Sequence, residues 1–253
     1  MLAISTDMAA LCASIGAALS RRSGATDSFT GSDRSLPQAT RAPMDIPDGL
    51  TPLVLDGVTY GWLGREWRDR VLQPPSPFVA RGDAVTLDPA LVGFEQRSGA
   101  IADWAARARR HWRLPGWREE RCVVRAGEHA ACMIERALLR PFGMVLHSVQ
   151  ATAYRRGHTG PQLWVAHRSD TKPVEPGRFD ALVGGGIAGF DEPWTTLLRE
   201  CAEEAAIPEA MARQARPAGC IELCYATVYD DRPALHRERV TLFDLELPPD
   251  FTP

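Results

Sequence analysis

Residues 185–207 read GGIAGFDEPWTTLLRECAEEAAI, and the end of this run, Arg199-Glu200-Cys201-Ala202-Glu203-Glu204, is the most informative part of the chain. At about 100° per residue in a helix, Glu200, Glu203 and Glu204 share an arc roughly 100° wide. Trp194, Leu197, Leu198, Cys201 and Ala205 fill the neighbouring arc. The spacing therefore predicts a helix over 192–205 with a core face beside a carboxylate face. Asp191 is the expected N-cap, and Pro193 falls in the first turn, where proline is tolerated. Three carboxylates this close repel one another unless a cation sits among them, and hard oxygen ligands suit Mg2+ or Mn2+. The glycines just upstream leave the backbone open to a diphosphate. Metal, carboxylates and a phosphate-sized opening together point to hydrolysis at phosphorus.

The run resembles the Nudix box: Gly, five residues, Glu, seven residues, Arg-Glu, an aliphatic residue, any residue, Glu-Glu, any residue, Gly, aliphatic. Gly185 opens it, Arg199-Glu200 and Glu203-Glu204 take their places, and Ile207 closes it. Two positions depart. Asp191 replaces the first Glu, and Ala206 replaces the last Gly, where a helix stop favours a left-handed residue. An Arg-Glu-x-x-Glu-Glu string alone is common on solvated helices; Gly185 at the correct spacing and the matching flanks set this one apart.

Those flanks are Ile134-Glu135-Arg136-Ala137, Phe142-Gly143, Leu163-Trp164-Val165-Ala166-His167-Arg168-Ser169, Lys172, Pro176-Gly177 and the run from Phe179 to Gly186, then Tyr225 and the segment from Phe243 to Phe251. They are similar to the Nudix branch found alone or fused to thiamine pyrophosphokinase, which carries its own N-terminal domain. The similarity runs from about Trp117 to Pro253 and is fainter from Met44 to Pro115. The resemblance implies an α/β fold, the Nudix α/β/α sandwich with a mixed sheet, preceded by a small α+β domain. It implies conversion of damaged (oxo or oxy) thiamine diphosphate to the monophosphate, a metabolite-repair reaction. Glu200, Glu203 and Glu204 would be the metal ligands and, with Arg199, the catalytic set. Arg199 would fix a carboxylate or the loop. Gly185 and Gly186 would keep the turn open to substrate, with Arg168, Lys172 and Arg178 as charge partners of its phosphates. Lys172 has a plainer reading as a loop lysine facing water. Two other functions fit the same box: hydrolysis of ADP-ribose or another nucleoside diphosphate derivative, or ligand binding by an inactive, truncated Nudix module.

Composition bounds the rest. The net charge of −3 gives no basic footprint for nucleic acid. Basic residues are 28 Arg and the single Lys172. Cys12, Cys122, Cys132, Cys201, Cys220 and Cys224 show no zinc spacing and read as reduced thiols of a cytoplasmic protein. The histidines form no ligand spacing; His147 and His167 read as core or edge residues. Met8 to Leu19 is apolar but too short to span a membrane, and no basic residue precedes it as a secretory signal would require. The expected partner is a small-molecule diphosphate, with no nucleic acid and no membrane; a homodimer is compatible.

Residues 1–43 are expected to be a disordered or spurious extension, with Met44 the biological start. Residues 44–143 form the α+β domain and 144–253 the Nudix hydrolase domain. In the former, Asp56-Gly57 marks a hairpin, residues 64–72 and 98–112 read as helices, and another hairpin brackets Gly127-Glu128-His129. Trp117 reads either as buried packing or as part of a base-recognition surface. In the latter, strands are expected at 144–155, 162–168, 219–229 and 238–247, with a short helix at 209–216. The resembled branch continues past the position of Pro253 with an acidic segment, a strand and a closing helix. The fold is therefore expected to lack its last elements.

Overall fold

The structure, a computed structural model, describes residues 40–41, 46–112, 114–158, 160–171 and 176–253. All lie in one compact unit, Leu36–Pro253. The expectations for residues 1–39, for Met44 and for Lys172 lie outside the described residues. Within the supposed extension, Thr40–Arg41 (β1) pairs in parallel with Ile221 and Glu222.

Asp56 and Gly57 both have positive φ, 49° and 79°, which a two-residue hairpin requires. They join β2 (Thr51–Leu55) to β3 (Val58–Leu63). Helix α1 (Arg65–Val71) follows, then β4 (Phe78–Arg81) and β5 (Ala84–Leu87), giving a four-stranded sheet in the order β3-β2-β5-β4. The long helix α2 spans Gly93–Trp112, beginning five residues before the start expected for it at residue 98. That stripe, Ile101, Trp104, Ala105 and Ala108, is buried. The second hairpin is β6 (Arg121–Ala126) and β7 (His129–Glu135), running directly into α3 (Arg136–Leu139). Phe78 meets Trp104 and Phe142 edge to face, with ring centroids 5.1 and 5.6 Å apart, at the centre of a first hydrophobic cluster.

A second cluster is built on a mixed sheet. Its strands are β8 (Val145–Gly157), β9 (Gly160–Leu163), β12 (Val183–Gly186), β13 (Arg216–Tyr229) and β14 (Arg232–Glu246), in the order β1-β13-β14-β8-β12 with β9 beside β8. β14 runs parallel to β8, while β12 and β13 are antiparallel to their neighbours β8 and β14. A separate two-stranded ladder joins β10 (Val165–His167) to β11 (Phe179–Ala181). Helix α4 (Pro193–Ala205) lays Leu197 and Cys201 on Val149, Ala151, Phe243 and Leu245. Strand alternation puts these four on one face of the sheet. Helix α5 (Glu209–Ala212) packs beside α4.

Four local expectations are corrected. The N-cap of α4 is Glu192, whose carbonyl accepts the Thr196 N–H at 3.0 Å, so Asp191 lies outside the helix. The strand read over 162–168 breaks at Trp164. The helix read over 209–216 stops at Ala212, because Arg216 opens β13. β14 begins at Arg232, six residues early, because its turn is only Asp230-Asp231, with φ of 52° and 58°.

The tip of that β13–β14 hairpin reaches the first cluster. The Tyr229 ring stands 6.1 Å from Trp67, and its hydroxyl donates to the Pro115 carbonyl. Arg232 Nε is 3.1 Å from Glu66 Oε2. Fixed partners thus hold the tip against α1.

Candidate functional site

Leu197 and Cys201 are fully buried, and they aim the intervening arc of α4 at the glycine strand β12. Glu200 is only 9% exposed. A β-carbon on Gly185 would overlap the Glu200 carboxylate and stand 2.7 Å from its Cγ. Glu204 reaches the same strand by another route: its Oε2 accepts the Gly184 N–H at 2.9 Å. Arg199 Nη1 lies 2.9 Å from Glu200 Oε1 and 3.2 Å from Glu203 Oε2. Burial pushes the Glu200 carboxyl above its usual range; Arg199 works against that rise, and Glu204 and Glu203 add to it.

The structure brings Gly185, Arg199, Glu200 and Glu204 together, while Glu203 turns to Arg199 with 59% of its side chain exposed. Arg199 thus joins Glu203 to Glu200, while Glu204 is joined to the strand. Among the described residues, no three His, Cys, Asp or Glu side chains are grouped to hold a metal ion. Glu200 and Glu204 of α4 both contact β12, and a divalent cation held by their oxygens would offset the cost of the charge on buried Glu200.

The glycines do a different job from the one expected. The space over Gly185 holds Glu200. On the opposite face of the strand, the space over Gly186 holds Arg136, whose Cζ would stand 2.6 Å from a β-carbon there. Neither space is left open for phosphate. Arg136 Nη1 donates to both oxygens of Glu120 at 3.0 Å, and its backbone N–H to the Glu120 carbonyl at 2.8 Å. β12 is thus clamped between a carboxylate on one face and a guanidinium on the other. Arg136 stands in a matched flank, but no spacing in the sequence ties it to Gly186.

A buried polar chain lies on the Arg136 face. Gly186 pairs with Ser148 of β8, and Ser148 Oγ donates to Glu238 Oε1 at 2.5 Å. Glu238 Oε2 bonds His236 Nε2 at 2.9 Å, and Arg140 Nε donates to His236 Nδ1 at 3.3 Å. With Nδ1 accepting from Arg140, Nε2 carries the proton and donates to Glu238. Burial would raise the Glu238 carboxyl, but the hydrogen bonds from His236 and Ser148 outweigh it and hold the group below the usual glutamate range.

Arg168 is engaged elsewhere, by an ion pair with Asp180 across the β10–β11 ladder. Its backbone N–H donates to the Arg178 carbonyl at 2.8 Å. The backbones of Arg168 and Arg178 thus extend that ladder by one hydrogen bond. The described cysteines are free, and burial pushes the Cys122 and Cys132 thiols up to about 12. Burial also pushes His147 down to about 4, with Arg125 and Arg239 adding to the shift, so it is neutral near pH 7. Trp117 packs on the first cluster, with the Arg109 guanidinium 5.0 Å from its ring centroid.

Comparison with known proteins adds an independent line. The chain is 32% identical over 178 residues to Nudix hydrolase 24, chloroplastic, of Arabidopsis thaliana, covering 70% of this chain and 48% of that protein. It is 33% identical over 171 residues to Nudix hydrolase 20, chloroplastic, of the same plant, covering 67% and 45%. By sequence, the chain is related to the Nudix hydrolases. It spans about half the length of the curated relatives it matches. A family described as "Domain of unknown function (DUF4743)" matches residues 37–145 of this Nudix relative. A looser likeness, with a TM-score of 0.31 and 17% identity, links it to an Ap4A hydrolase from C. elegans over 44% of this chain and 74% of that one. The departure from the Nudix box at Ala206 has a structural cost: Ala206 caps α4 at φ 49°, ψ 28°, the left-handed conformation that glycine adopts without penalty.

Proposed function

We propose that the chain is a divalent-metal-dependent Nudix hydrolase that cleaves the diphosphate of a small molecule, with damaged (oxo or oxy) thiamine diphosphate as substrate. The observation that carries the diphosphatase reading is the seating of two box carboxylates, Glu200 and Glu204, on the strand that opens the box. The thiamine reading rests on the flanking segments. In this reading residues 44–143 serve recognition and residues 144–253 the chemistry.

Glu200 and Glu204 would hold Mg2+ or Mn2+, which when bound supplies neutralising charge and polarises a phosphoryl oxygen. Arg199 holds Glu200 and Glu203 in place and limits their repulsion. Glu200, buried over Gly185, has two carboxylate oxygens, so that one could hold the cation while the other takes a proton from the attacking water. Water adds at phosphorus as the bridging P–O bond breaks. The products are the monophosphate and inorganic phosphate.

The test compares oxothiamine diphosphate, thiamine diphosphate and ADP-ribose in the presence of Mg2+ or Mn2+, with product analysis. Monophosphate formed preferentially from oxothiamine diphosphate, and lost by orders of magnitude in Glu204→Gln, is the expected result. Preference for ADP-ribose would discard the thiamine reading and keep the chemistry. Unchanged turnover in Glu204→Gln would overturn the site.

A further inference from the structure

A cleft of about 510 Å³ opens between α2 and the β6–β7 hairpin, within the size range of small-molecule sites. Ala102 and Ala106 of α2 leave it room, Trp117 and Glu135 wall it, and Arg109 and Arg121 stand at its edge. Glu135 is 5% exposed. It accepts the backbone N–H of Arg118 at 3.2 Å and that of Ala137, and among the described residues no arginine or lysine forms an ion pair with it. A carboxylate has about four acceptor positions, and burying one without a cation is costly unless other donors supply the deficit. Burial accordingly raises its proton affinity, partly offset by backbone hydrogen bonds. Trp117 already serves as a platform: the planar Arg109 guanidinium lies over its ring, held there by Glu119 at 2.9 Å. Arg109 is about half exposed and free to give way to another planar group.

Two backbone connections run from the cleft wall toward the glycine strand. Glu135 is followed directly by Arg136, which covers Gly186. The Arg121 carbonyl accepts the N–H of Gly189, in the loop between β12 and α4, at 2.8 Å. β6 and the Glu135-Arg136 step therefore connect the cleft wall to the backbone that seats Glu200 and Glu204.

We propose that this cleft receives the organic part of the substrate, a planar heteroaromatic ring with an amino group or protonated ring nitrogen that stacks on Trp117 and donates to Glu135. The inference rests on the diphosphatase reading for the word substrate, but the binding itself does not. Arg109 and Arg121 at the edge would attract the anionic arm toward the glycine strand. A ring without the donor leaves Glu135 with its backbone hydrogen bonds alone and forgoes the additional bond.

The experiment titrates the full chain, without metal or phosphate, with 4-aminopyrimidine and with unsubstituted pyrimidine. Indole N–H signals are followed by NMR, and Trp117→Phe identifies the signal of Trp117. The expected result is a shift of the Trp117 signal by 4-aminopyrimidine, with pyrimidine binding at least about tenfold more weakly. Glu135→Gln should remove that preference. In the hydrolysis assay, Glu135→Gln should raise KM and leave kcat nearly unchanged. A silent Trp117 signal in the wild-type chain, or equal binding of the two rings, would overturn the proposal even if Glu135→Gln failed to fold. Absence of hydrolysis with ring binding intact would overturn the diphosphatase reading alone.

Discussion

Glu200 lies against the backbone of Gly185 so closely that no side chain fits between them. Gly184, one residue earlier, has only the Val149 carbonyl near its missing β-carbon, at an ordinary 3.6 Å. Gly185→Ala should therefore cost roughly 1–3 kcal/mol in urea unfolding and displace Glu200, whereas Gly184→Ala should be nearly neutral. Equal stabilities for the two variants would show that Glu200 is not seated on this strand.

Ala206 holds a left-handed conformation that costs a β-carbon-bearing residue about 1–2 kcal/mol, part of which glycine returns through its freer unfolded chain. Ala206→Gly should stabilise the protein by up to about 1 kcal/mol and raise Tm. A lower Tm would mean that the helix ends otherwise.

Glu238 makes stability depend on acidity. Its folded proton affinity is lowered, so its ionised form contributes stability that is fully present above the usual glutamate range and lost as pH falls through the depressed folded value. Thermal unfolding between pH 3 and 7 should show the loss below about pH 4.5. Glu238→Gln should flatten that part of the profile and cost about 1–3 kcal/mol at neutral pH, where the single amide oxygen can accept from only one of His236 and Ser148.

Arg136 and Glu120 form a pair with 25% and 22% of their side chains exposed, so removing the arginine leaves a mostly buried carboxylate behind. Arg136→Ala should cost about 1–2 kcal/mol, and adding Glu120→Ala should recover part of the loss. Strict additivity in the double variant would show that Arg136 and Glu120 are not coupled.

What could be read from the sequence was local. The box spacing relates Gly185 to Glu200 along the chain, but their close contact is set by how α4 packs on β12. Ala206 could be read as a strained cap from its place after the last helical residue. The helical wheel puts three glutamates on one arc, but it cannot tell which of them Arg199 takes, because Arg199 neighbours one and stands one turn from another. Arg136 was beyond reach for a different reason: its partner on β12 is set by how the hairpin and sheet meet, and it is one arginine among 28. The Ser148, His236 and Glu238 chain likewise depends on the parallel register of β8 and β14. Pro233 drew the start of β14 too late, since proline reads as turn though it is tolerated at a strand's beginning.

The hairpin tip at Asp230-Asp231 has a consequence for synthesis. Trp67 and α1 leave the ribosome long before Tyr229 and Arg232, yet their packing is completed by those two residues. The first half of the nascent chain must therefore wait with one flank open until β13 and β14 have been made. A ribosome stalled within β13 would hold a chain whose leading half is still unfinished.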